Sequence, residues 1–160
     1  MKKVLPAILF LLLSSRLFAQ TPLSTFDQLM TALKSGKEVR AVIHYAKCDL
    51  YNGGVKEDKS PDAIGGMKLD TYEYFDSTVF KGKVPSFVTT SETKLINHQR
   101  YGYVYNYVKI KIRIDGSVEI TARYLRPRKL SAKFKVVMDE TFKGKMNDGK
   151  NEGGVFFFAD

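Results

Sequence analysis

The chain has 160 residues and one cysteine, with 26 Lys and Arg against 17 Asp and Glu for a formal net charge of +9. A single cysteine excludes an internal disulfide, and the length suits one domain with a sizeable core. Beyond the N-terminal run no stretch approaches the roughly 18 consecutive apolar residues that a membrane-spanning helix needs.

The N-terminus reads as a secretory signal peptide over residues 1–19: Lys2 and Lys3, an apolar run from Val4 to Leu13, then Leu17-Phe18-Ala19 before the cut. Cysteine is absent near that cut, so no lipid anchor is expected, and the product is expected to be secreted or periplasmic. Loss of Lys2, Lys3 and Arg16 takes the charge from +9 to +6 over residues 20–160, which form the single domain. A basic balance favours anionic partners and equally serves solubility.

Ser24 or Thr25 is placed to cap an amphipathic helix over residues 26–35, with Phe26, Leu29, Met30 and Leu33 on one stripe and Gly36 ending it. A strand follows over 38–48, apolar on both parities and so expected to be covered on both faces. Residues 52–66 have the Gly, Pro and charged composition of a mobile loop. Strands are predicted over 68–76 and 86–93, with a turn at Asn97-His98-Gln99.

Residues 101–127 carry the clearest signal. Val104, Asn106, Val108, Ile110, Ile112 and Ile114 share one parity, and Tyr101, Tyr103, Tyr105, Tyr107, Lys109, Lys111 and Arg113 the other. After Asp115-Gly116, Val118, Ile120, Ala122 and Tyr124 alternate with Ser117, Glu119, Thr121 and Arg123. A two-residue loop would set each core residue against a polar one. A three-residue loop, with Gly116 left-handed in a type I turn plus bulge, pairs Ile112 with Val118, Ile110 with Ile120 and Val108 with Ala122. The same register sets Lys111 across from Glu119 and Tyr107 across from Arg123. Arg126-Pro127-Arg128-Lys129 reads as a break. Phe134, Val136, Met138 and Phe142 read as the core face of a further strand, residues 147–154 as a loop, and 155–159 as a terminal strand. The expected fold is mainly β (α+β): a strongly curved antiparallel sheet or barrel of about seven strands with one N-terminal helix.

Several runs together resemble the VirK family of secreted bacterial proteins. They are Thr25-Phe26-Asp27-Gln28-Leu29, Arg40 through Cys48, Gly65-Gly66-Met67, Ser91-Glu92-Thr93-Lys94, Tyr103 through Lys109, Gly116-Ser117-Val118-Glu119, Asp139-Glu140-Thr141-Phe142 and Gly153 through Phe157. The resemblance spans nearly all of residues 20–160. It implies a virulence- or host-associated setting and brings with it no catalytic residues or cofactor. Members similar to this chain tend to carry a second cysteine just after the Thr-Phe pair. Gly144 stands there in this chain, so the disulfide that the resemblance implies from Cys48 lacks its second cysteine.

The candidate chemistries are weak. Asp70 and Asp76 are about 20 Å apart on an extended strand, too far for an acid/base pair, and Glu73 points the other way. His44 and Cys48 lie about 13 Å apart unless a bulge intervenes, so a metal site or activated thiol with Asp70 is not expected. Asn147, Asp148, Asn151 and Glu152 have calcium-loop composition without its spacing. No cofactor or metal is called for. The candidate ligand-binding face is Tyr103, Tyr105 and Tyr107 running into Lys109, Lys111 and Arg123, a surface that can stack sugar rings or bases and pair with anions. These tyrosines are also placed to lie beneath the helix as core. The leading expectation is a secreted non-enzymatic binding protein for an anionic or sugar-like ligand or a macromolecular surface. The alternative is a carrier of a small apolar ligand in a barrel interior, with Asn106 as the polar group. A secreted enzyme ranks third.

Overall fold

The computed structural model describes residues 20–128, 131–150 and 153–160. The signal-peptide reading lies outside the described residues, as do Lys129, Asn151 and Glu152. The elements in order are β1 (Thr21–Leu23), α1 (Phe26–Lys34), β2 (Val39–His44), β3 (Asp49–Asn52), β4 (Val55–Lys56), β5 (Ile64–Lys68), β6 (Tyr72–Phe75), β7 (Phe87–His98), β8 (Gly102–Arg113), β9 (Ser117–Arg128), β10 (Ser131–Lys145) and β11 (Val155–Ala159). They form a four-stranded sheet in the order β1-β11-β2-β5 and a seven-stranded sheet in the order β4-β3-β10-β9-β8-β7-β6, with antiparallel neighbours throughout.

The helix begins where its sequence provides a cap. Thr25 Oγ1 accepts from the Gln28 N–H at 3.2 Å, while Gln28 Oε1 reaches back to the Ser24 N–H at 2.8 Å. It ends in a Schellman motif: the Lys37 N–H donates to Ala32 O at 3.1 Å and the Gly36 N–H to Leu33 O at 3.0 Å, with Gly36 at φ +74. Phe26, Leu29, Met30, Ala32 and Leu33 are buried along one side.

That stripe shares one core with both sheets. From the small sheet comes the cross-strand row Leu23, Phe157, Ala41 and Met67, and from the large sheet the row Ile110, Ile120 and Phe142, all buried. The twelve-residue β7, β8 and β9 run about 40 Å, roughly twice the reach of the small-sheet strands, so the large sheet overhangs its partner.

The central hairpin takes the expected register, with Ile112 opposite Val118, Ile110 opposite Ile120 and Val108 opposite Ala122. Gly116 sits at φ +77 and its N–H closes the turn onto Arg113 O at 2.9 Å. Asp115 Oδ1 accepts from the Ser117 N–H at 2.9 Å, and the Ser117 hydroxyl first and this N–H second lower the pKa of its carboxyl. Gly116→Ala should destabilise the fold by about 1 kcal/mol, because a Cβ penalises the left-handed conformation. A urea melt checks this, and an unchanged midpoint would reject the turn's role.

Several expectations are corrected. Among the described residues neither sheet closes on itself, so they form no barrel and no barrel interior; eleven strands in two sheets replace the seven-strand reading there. The segment 68–76 divides between sheets: β5 ends at Lys68 in one and β6 starts at Tyr72 in the other, with the Leu69 N–H bonded to Val39 O between them. The segment 52–66 holds β4 and the start of β5, because Asn52-Gly53-Gly54-Val55 makes a tight hairpin. β2 stops at His44, where a 3-10 turn takes over at Tyr45–Lys47, and only its Val39, Ala41 and Ile43 face is fully buried. The Arg126–Arg128 segment continues β9 instead of breaking it.

Phe134 and Val136 are exposed and do not belong to the core face. A register shift between Val136 and Met138 turns the strand over, so that Val136 pairs with Leu125 on one face and Met138 with Tyr124 on the other.

Candidate functional site

Alternation along β8 sends Val104, Ile110 and Ile112 into the core and Tyr103, Tyr105, Tyr107, Lys109 and Lys111 to the opposite side of the sheet. The helix shares the core side, so these tyrosines do not lie beneath it. Arg123 on β9 pairs with Tyr107 and completes the set on the same outer face. All six sequence-derived candidates therefore share one surface.

Their environments differ. Tyr103 and Lys109 are exposed, while Tyr105, Tyr107, Lys111 and Arg123 are half-buried among neighbours. Lys111 does not bond to Glu119 as the register led one to expect. Its ammonium stands 3.9 Å over the Phe87 ring, and burial followed by the nearby Arg113 lowers its pKa. Glu119 instead takes Arg113 at 3.0 Å, and Arg123 donates from Nε to Asp139 Oδ1 at 2.8 Å. Of the three cations proposed for the face, Arg123 is tied to a carboxylate and Lys111 to a ring.

Next to Arg123 the face dips into a depression of about 410 Å³, lined by Tyr51, Gly53, Gly54, Glu119, Arg123, Asp139, Thr141 and Lys143. Its volume lies within the range of small-ligand sites. Lys143 sits 4.2 Å over the Tyr51 ring and also borders a second depression of about 520 Å³, rimmed by Lys47, Asp49 and Lys145 and floored by Gly144, Gly153 and Gly154. Sequence reasoning missed Tyr51 and Lys143. The signal available was the alternation of Lys143 with Phe142, which places a lysine on the outer face as soon as Phe142 is core.

The other candidates stand apart from this face. Cys48 is buried; its Sγ lies 3.7 Å from the backbone oxygen of His44, not from the imidazole, which tilts against Phe156. Burial pushes the thiol pKa up, away from a reactive thiolate. Asp76 caps the 3-10 turn at Ser77–Phe80 by accepting from the Thr78 N–H at 2.9 Å, while Asp70 and Glu73 are exposed. His98 stacks on Tyr101 at 4.9 Å and tilts against Tyr124 on the overhanging inner face. Glu140, on that same inner side, has its pKa raised by burial and then by Glu57. Asn106 lines a crevice of about 150 Å³ between the sheets with Tyr45, Gly65, Glu92 and Lys94.

Comparison with known proteins adds the family. A search of curated proteins finds no match. The crystal structure of a VirK family protein from Legionella pneumophila superposes with a TM-score of 0.64 at 17% identity, covering 86% of this chain and 98% of that one, a likeness of fold. The family model described as VirK protein matches residues 22–130, most of the chain and every strand from β2 to β9. Two sheets, one capped helix and the long central hairpin are thus the frame of a known family, and the chain belongs to the VirK family.

Proposed function

We propose that the protein is a non-enzymatic binding protein that acts outside the cytoplasm and meets an anionic partner through the outer face of its seven-stranded sheet. The observation that carries this reading is the uncovered face itself: Tyr103, Tyr105 and Tyr107 give way to Lys109 and Lys111, with Arg123 at the rim of a depression of about 410 Å³. Aromatic rings supply stacking area and the cations supply charge, a combination suited to acidic sugars and to anionic macromolecular surfaces. The Glu119 and Asp139 carboxylates on this face are neutralised by Arg113 and Arg123, which keeps the field on it positive. Export is supported by the Lys2-Lys3 start and the apolar run that follows.

Tyr107→Ala combined with Lys109→Ala should weaken binding to a sulfated polysaccharide about tenfold, measured by calorimetry, with the melting curve little changed. Equal affinity in the folded double variant would remove this face as the site. The interior-carrier alternative has less support, since the crevice beside Asn106 is about 150 Å³, below the usual size of a small-molecule pocket.

A further inference from the structure

The outer face is not uniform. Its far end, beyond the overhang, carries a complete apolar row across four strands: Leu95 pairs with Tyr105, Tyr105 with Leu125, and Leu125 with Val136. Phe134 extends the row, its ring meeting that of Tyr105 edge-on at 5.6 Å, and Tyr103 lies two residues further along β8. Exposure is 59% at Leu95, 70% at Tyr103, 51% at Phe134 and 48% at Val136. Closer to the middle the same face is polar, with Thr93, Tyr107, Arg123 and Asp139 in one row. A solvent-facing sheet surface normally stays polar to its end, and a contiguous apolar patch marks an interaction site.

Charge identifies the occupant. Residues 94–104 and 125–136, the ends of the two hairpins, contain no Asp or Glu; Lys94 is held by Glu92 at 2.8 Å, and Arg100, Arg126, Lys133 and Lys135 supply the charge of this end. A second copy docking on this end would bring two hairpin ends of the same positive sign together, which disfavours self-association. We infer that this end of the sheet docks on an anionic lipid bilayer, with Leu95, Tyr103, Phe134 and Val136 entering the headgroup boundary and the surrounding cations meeting lipid phosphates. Tyrosine suits that depth because its ring is apolar and its hydroxyl stays wet, and basic residues beside an apolar tip add electrostatic attraction to acidic lipid. The inference deepens the binding reading above by naming the partner of the face's apolar end, and it rests on that face being open.

Every described element lies between Thr21 and Ala159, so the test protein starts at Gln20 and the apolar run at Val4 to Leu13 contributes nothing. Cosedimentation is measured with vesicles of phosphatidylcholine alone and of phosphatidylcholine with about one third phosphatidylglycerol. Binding to the anionic vesicles should be tighter by about tenfold or more and should weaken with added salt. Leu95→Ser with Phe134→Ser should cut it by about tenfold or more at an unchanged melting temperature, because both side chains are exposed. Lys133→Glu with Lys135→Glu tests the charge by a second route and should lower binding to anionic vesicles only. Absence of vesicle binding, or equal binding by the serine pair, overturns the proposal. A dimer that the serine pair dissociates, without vesicle binding, also overturns it and makes the row a self-association surface. Sulfated polysaccharide bound without vesicles would reject lipid docking and leave the outer-face reading standing. Vesicles bound equally well by Tyr107→Ala with Lys109→Ala, with no polysaccharide bound, would do the reverse.

Discussion

Gly144→Cys should form a disulfide with Cys48 under oxidising conditions and raise stability by about 2–4 kcal/mol. A Cβ built on Gly144 would lie 2.7 Å from Cys48 Sγ and 3.7 Å from Cys48 Cβ. The second distance falls within the 3.5–4.5 Å that Cβ atoms keep across a disulfide, so the backbone is already in position. The loop so closed spans on the order of 100 residues, the regime in which loop-closure entropy is largest. The sign of the effect depends on chemistry. Gly144→Ala, or the reduced cysteine variant, only crowds the Cys48 thiol and Val155 and should cost about 1–3 kcal/mol. Intact mass, together with urea melts with and without reductant, separates the two cases; a cysteine variant whose melt ignores reductant would contradict the approach of these two segments.

Gly153→Ala should lose about 3 kcal/mol or fail to fold. Its Cβ would stand 2.5 Å from Lys145 O and from Met146 O, both backbone atoms that cannot swing aside. This tight crossing brings the C-terminal segment against β10, where Met146 bridges to Val155. Gly149 provides the control: it has φ +76 but open space around its missing Cβ. Gly149→Ala should therefore cost only about 1 kcal/mol, through backbone conformation alone. Equal losses at the two positions, read from denaturant midpoints, would show that the crossing is looser than the structure has it.

What the sequence makes legible follows from what periodicity can carry. The hairpin register could be read because Ile110, Ile112, Val118 and Ile120 must share a face and Gly116 permits only one loop length to achieve it. The capped helix and the terminal strand Val155–Ala159 were legible for the same local reasons. Phe134 and Val136 were misread because their spacing matches Met138 and Phe142, and a bulge leaves no mark on parity. The split of Met67 and Tyr72 between two sheets is a tertiary event, set by which strand each edge finds. In the candidate site, one strand's alternation was enough to group the tyrosines and lysines. Tyr51 and Lys143 arrive from β3 and β10, and no local pattern brings them to Arg123.

The position of β11 has a consequence for how the chain acquires its structure. The last strand is not an edge strand; it lies between β1 and β2, bonded to both. The run from β7 to β10 consists of successive hairpins and can pair as soon as it leaves the ribosome, with each contact closing a short loop. In the small sheet β2 can pair early with β5, but at the usual ~5–20 residues per second β1 and the other edge of β2 wait seconds for Val155–Ala159. Closure of the common core therefore comes late in chain order, because Val155, Phe157 and Ala159 belong to it. A fold that waits on β11 in this way keeps its small sheet incomplete while everything between β2 and β11 is being made.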